Sequence, residues 1–152
     1  MAYENTEVPV SRSQEKVKEL IRKHGGFGTA FVSELDPQGR DGALEGFHAK
    51  VMINGKPYAI RVMARVKAAP RHLSDPQRGM FTTQQERRIW RVLYYHMKSV
   101  YEASDSGVME FRELMLPYLV MNSGQTVAEA ILPRIDAALA MKPERLLSVG
   151  EP

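Results

Sequence analysis

The dipeptide Asn54-Gly55, set between two segments of alternating polarity, constrains this chain more than any other feature. Both residues tolerate a positive φ, which a two-residue type I′ turn requires, so the flanking segments are expected to pair antiparallel. Ahead of the turn, Phe47, Ala49, Val51 and Ile53 share one face, opposite His48, Lys50 and Met52. Beyond it, Tyr58, Ile60, Val62, Ala64 and Val66 share a face, opposite Ala59, Arg61, Met63, Arg65 and Lys67. Period-two alternation puts each set on its own side of a sheet. The spacing thus predicts a hairpin over 44–67 with one apolar and one basic side.

The remaining segments read as helices and one further strand. Ser11, three before Gln14, has capping-box spacing and predicts a helix over about 12–24, ended by Gly25-Gly26. Phe27 to Leu35 reads as a first strand, and residues 36–42 as a turn-rich loop. Residues 68–81, with two prolines and a glycine, read as an irregular exposed loop. Thr82 or Thr83 can cap a long helix to about Ser104, with Ile89, Leu93, Met97 and Val100 as its apolar stripe and Trp90 and Tyr101 beside it. Arg87, Arg88, Arg91, Tyr95 and Lys98 lie on its other side. A short helix over about 108–116 stops before Pro117. Thr126 with Glu129 is a second capping box, opening a helix to about Met141 that Pro133 should kink or split.

At 152 residues, with 43% hydrophobic and 26% charged side chains, the chain fits a single domain over 1–152 with short extended ends, 1–10 and 142–152. The expected class is α+β: an antiparallel sheet of three or more strands with one face packed against helices. Phe31, Phe47, Val51, Ile53, Ile60, Val62, Ile89, Trp90 and Leu93 are the expected core. No apolar run approaches the roughly 20 residues of a membrane span, so no membrane partner is expected. The beginning of the chain lacks the apolar centre of a signal peptide, which fits a cytoplasmic location.

Catalytic signatures are missing. With no cysteine there is no thiolate nucleophile and no cysteine metal site. Gly25-Gly26-Phe27-Gly28 lacks the lysine and spacing of a phosphate loop. His24 follows a helix and can meet its terminal carbonyls, and His96 lies beside the core stripe as a satisfied core or boundary residue. Glu34, Asp36, Asp41 and Glu45 read as loop acids flanking a sheet whose central strands carry none, and Asp105, Glu110 and Glu113 flank the junction after the long helix. No metal, cofactor or catalytic residue is assigned, and the chain is expected not to be an enzyme.

The charge pattern is more informative. Residues 46–72 carry six lysines and arginines and no acid, within a net charge of only +3, so the remainder of the chain holds the balancing acids. A one-sided basic sheet suits phosphates. The residues expected to bind nucleic acid are Lys50, Arg61, Arg65, Lys67 and Arg71 from the hairpin and its exit, and Arg87, Arg91 and Tyr95 from the long helix. Tyr95, Met52 and Met63 supply flat or soft surface for stacking on single-stranded bases. The same cations also serve solubility and edge protection, and nine methionines equally suit a protein-binding surface. An accessible hairpin edge leaves self-association open.

Three segments, NTEVPVSRSQEKVKELIRKHG, ERRIWRVLYYHMKSVYEASDSGVMEFRELMLPYLV and GQTVAEAILPRIDAALA, resemble a group of small proteins encoded by tailed bacteriophages and prophages. The resemblance spans most of the chain outside the hairpin and the 68–81 loop. It implies a phage origin and expression in an infected bacterium. It implies no activity and transfers no functional residue. Some members of the group lie near replication and recombination genes, which favours a DNA-related role. The expected function is a non-catalytic accessory protein that binds nucleic acid, single-stranded DNA above all, through the basic hairpin face. The alternative is a protein-binding modulator or inhibitor of a host factor, such as a defence component.

Overall fold

The computed structural model describes residues 3–35 and 42–139. Its elements are α1 (Val10–Lys23), β1 (Phe27–Leu35), β2 (Gly42–Ile53), β3 (Lys56–Lys67), α2 (Asp75–Asp105), α3 (Phe111–Met115), a 3-10 turn (Leu116–Tyr118) and α4 (Val127–Leu139). The three strands form one antiparallel sheet in the order β1-β2-β3, which makes the α+β class plain. At the hairpin tip Asn54 (φ 51°) and Gly55 (φ 77°) both occupy the left-handed region, and Ile53 pairs with Lys56 across a two-residue loop. The turn chemistry read from the sequence is therefore realised.

Register follows polarity. Phe47 opposes Val62, Ala49 opposes Ile60, and Val51 opposes Tyr58, all on the inner face. Against them α2 places Ile89, Trp90, Leu93, Met97, Val100 and Tyr101, and α1 places Val17 and Ile21. Apart from Tyr58, which stays 38% exposed near the hairpin tip, these side chains are buried together, as the alternation in the strands and the three-to-four spacing in the helix require. Phe31 departs from expectation. It faces inward opposite Phe47, yet stays 37% exposed because β1 is the edge strand, and it meets Trp90 only edge-on at 5.4 Å.

Several boundaries differ from those predicted. α1 begins at Val10, directly after Pro9, and no side-chain cap forms, so the Ser11–Gln14 spacing is not used. Pro9 already holds the extended conformation that precedes a first turn. The same signature operates at Ser74 and Gln77, inside the segment expected to be a loop: each side chain bonds the other residue's backbone N–H. With Pro76 in the first turn, this box starts α2 at Asp75, well before Thr82. The expected 108–116 helix is only the five residues of α3, continued by the 3-10 turn that contains Pro117. α4 runs unsplit through Pro133, with Thr126 and Glu129 forming the expected box. The predicted 36–42 loop falls almost wholly outside the described residues, as does the 142–152 tail.

The outer edge of β3 is partly covered. Leu119 bridges Ile60, and the Val120 N–H donates to the Ala59 carbonyl at 2.9 Å. This short bridge delivers α4 to the rim of the sheet. No residue of α4 is buried, and Ile131, Leu132, Ile135 and Leu139 remain exposed among the described residues.

Candidate nucleic-acid interface

Because α1 and α2 cover the inner face, the other side of the hairpin is turned to solvent. It carries His48 and Lys50 from β2, and Arg61, Met63, Arg65 and Lys67 from β3, with Ala30, Val32 and Glu34 across from them on β1. His48, Lys50, Arg65 and Lys67 are all exposed. Val32, Gly46 and Met63 form a low apolar row between the cations. Gly46 is required there: a Cβ would stand 1.9 Å from the Val62 carbonyl oxygen, so the two strands approach too closely for any side chain. At the N-terminal end of β1 the ladder is irregular, and Phe27, 55% exposed, becomes the cross-strand neighbour of Lys50. An exposed ring beside a lysine suits one stacked base and its phosphate. Neither Phe27 nor His48 was among the expected binding residues; for Phe27, the slip that brings it opposite Lys50 leaves no mark in polarity.

Arg61 is placed differently from expectation. Its Nη2 donates to Glu129 Oε1 at 2.6 Å and to the Gly124 carbonyl at 3.2 Å. It anchors the start of α4 to the sheet instead of standing ready for a phosphate. Burial pushes the Glu129 carboxyl up, but hydrogen bonds from Arg61 and Thr126 and the Arg61 charge outweigh it, leaving the group below its ordinary value. Arg71 is exposed just beyond the hairpin.

The helix cations do not join this surface. Arg87, Arg91, Tyr95 and Lys98 lie on the side of α2 turned away from the core, so the hairpin set and the helix set point in opposite directions. All four are half-buried. The Arg91 guanidinium sits 5.5 Å from the Tyr94 ring centre and 5.3 Å from that of Tyr95, with Lys98 5.7 Å from the latter. Tyr3, which nothing in the sequence pattern marks, stacks on Tyr95 at 5.1 Å and 3°.

The acids expected in loops are partly in the sheet. Glu34 belongs to β1 and Glu45 to β2. Glu45 faces inward and accepts the Trp90 Nε1–H at 2.9 Å. Burial raises its carboxyl above the ordinary range, against the pull of the Trp90 bond and with the help of the Glu86 charge. Asp105 contacts His24 Nε2 at 2.8 Å, while His24 Nδ1 reaches the Leu20 carbonyl at 2.9 Å, the helix-end contact expected for it. His96 is half-buried with Nε2 lacking a hydrogen-bond partner, so it is a boundary histidine but not a satisfied one; burial lowers its pKa. Among the described residues no three His, Asp or Glu side chains gather as metal ligands, and no helix is long and apolar enough to cross a membrane. Compared with protein-family models, curated proteins and solved structures, the chain matches none.

Proposed function

We propose that this protein is a phage-encoded, non-catalytic accessory factor that binds single-stranded DNA in the host cytoplasm on the outer face of its sheet. The observation that carries this reading is the outer face itself: exposed Lys50, Arg65 and Lys67 border a flat apolar row, with Phe27 beside Lys50 and Glu34 as the acid of the strands on that side. Cations contact successive phosphates while flat or soft surface receives bases, with little preference among sequences. The likeness of three sequence segments to phage proteins supports the setting.

Fluorescence anisotropy with labelled oligonucleotides at several salt concentrations tests the proposal. Affinity should fall steeply with salt, and Lys50→Ala with Lys67→Ala should flatten that dependence by roughly one unit of slope for each phosphate no longer neutralised. Binding that is absent at low salt, or indifferent to the double substitution, overturns the site.

One observation favours the protein-binding alternative. α4 and the 3-10 turn enclose an apolar groove of about 210 Å³ between Leu116, Pro117, Val127, Ile131 and Ile135. Exposed apolar rows of this kind mark surfaces for protein partners. Under that reading, a tagged chain isolated from infected cells retains a specific protein that Leu132→Asp releases, and DNA binding is absent.

A further inference from the structure

We infer that the Tyr3 ring is an internal placeholder for a nucleobase, and that the strap of residues 3–9 covers a second single-stranded nucleic-acid site on the helix layer. The class of ligand rests on the nucleic-acid reading above; the surface is a separate one, on the far side of the core.

The geometry of the stack is the starting point. Tyr3 and Tyr95 lie parallel within 3°, the arrangement a base adopts on an aromatic side chain. Cations ring the same tyrosines: Arg91 and Lys98 at Tyr95, Arg91 and Lys16 at Tyr94. Their positive charge suits the phosphates on either side of a stacked base. Among the described residues Arg91 bonds the hydroxyl of Ser13 at 3.5 Å, and Lys98 has a loose pairing with Glu102 at 3.9 Å, so neither is locked by a close carboxylate. A path for the strand continues along α2. An open cleft of about 820 Å³ lies between the strap and the first turns of the helix, with Gln84 and Arg87 on its wall and one acid, Glu7, on its strap side. Arg87, Arg91 and Lys98 thus follow one another along the same side of α2.

The strap is built to be displaced. None of residues 3–9 is buried. Gln84 Nε2 holds it by donating to the Glu4 and Thr6 carbonyls at 3.0 and 2.9 Å. Tyr3 itself has φ 62°, a left-handed backbone that its Cβ disfavours. Lifting the strap relieves that conformation and frees one face of Tyr95 for a base.

Binding of a labelled oligothymidine by anisotropy, at low salt, decides the matter. Tyr3→Ala should bind about tenfold more tightly than the unaltered chain, because one stacking face is no longer contested. Gln84→Ala should produce the same direction of change by a different release, and Tyr3→Phe, which keeps the stack, should not. The gain should vanish when Tyr95→Ala is added, and persist when Lys50→Ala and Lys67→Ala are added instead. If the unaltered chain binds and neither Tyr3→Ala nor Gln84→Ala binds more tightly, the strap is a structural pin and this inference fails alone. If only the strap-released variants bind, the inference stands and the sheet-face reading falls. If none binds, both fall.

Discussion

Arg61 illustrates how much one contact can alter a residue's meaning. Alternation puts it on the open face, and the ion pair with Glu129 then turns it into an anchor for α4. The pair is half in solvent, so Arg61→Ala should cost under about 1 kcal/mol in a thermal melt. Its pH dependence has a definite sign. A carboxyl held below its unfolded value of 4.5 adds stability above that pH, and the contribution disappears as pH falls through the lowered folded value. Melts of the parent and Glu129→Gln between about pH 3 and 7 should therefore converge at the acid end. Glu45 behaves oppositely. Its raised carboxyl favours the folded state below pH 4.5 and forfeits that advantage as pH rises through the folded value. Glu45→Gln retains an acceptor for Trp90 and should melt slightly higher than the parent at neutral pH, with the difference closing in acid. Gly46→Ala should be far more damaging than either, since its methyl would meet backbone and not a yielding side chain.

Among the elements, α2 is the one whose faces decide the core. Leu93 is 4% exposed between the sheet and the neighbouring turns, so Leu93→Ala should destabilise by about 2–5 kcal/mol in denaturant unfolding. Ser74→Ala tests the cap hidden in the expected loop, with a cost of about 0.5–2 kcal/mol. The hairpin, β1, the stripe of α2 and the box at Thr126 were all legible, because each depends on residues a few positions apart. The start of α2 was not. Ser11–Gln14 and Ser74–Gln77 carry the same signature, and only local backbone context separates them: Pro9 preempts the first, whereas Pro76 completes the second.

For the molecule as a whole, the decisive fact is that its cations divide between two sides. The eight residues expected to bind nucleic acid comprise an open-face group, an anchoring arginine, the hairpin-exit Arg71 and a helix group beneath the strap. Replacing Lys50 and Lys67 together should thus leave any strap-gated binding intact, and replacing Tyr95 should leave the sheet face intact. Oligonucleotide anisotropy on the two variants side by side reads this directly.

Short-range grammar is sufficient for the parts that repeat along the chain. Positive φ at Asn54-Gly55 determines a hairpin, period two determines which side of it is apolar, and the three-to-four spacing of Ile89, Leu93, Met97 and Val100 determines what α2 buries. Those outcomes need no knowledge of distant residues, because sterics and burial act on the local pattern. The pairing of Arg61 with Glu129, of Glu45 with Trp90, of Phe27 with Lys50 and of Tyr3 with Tyr95 arises otherwise. Each joins positions from 23 to 92 residues apart, or depends on a strand irregularity that polarity does not encode. Such pairings exist only once packing has brought the elements together, and it is through them that the charged and aromatic side chains acquire their roles.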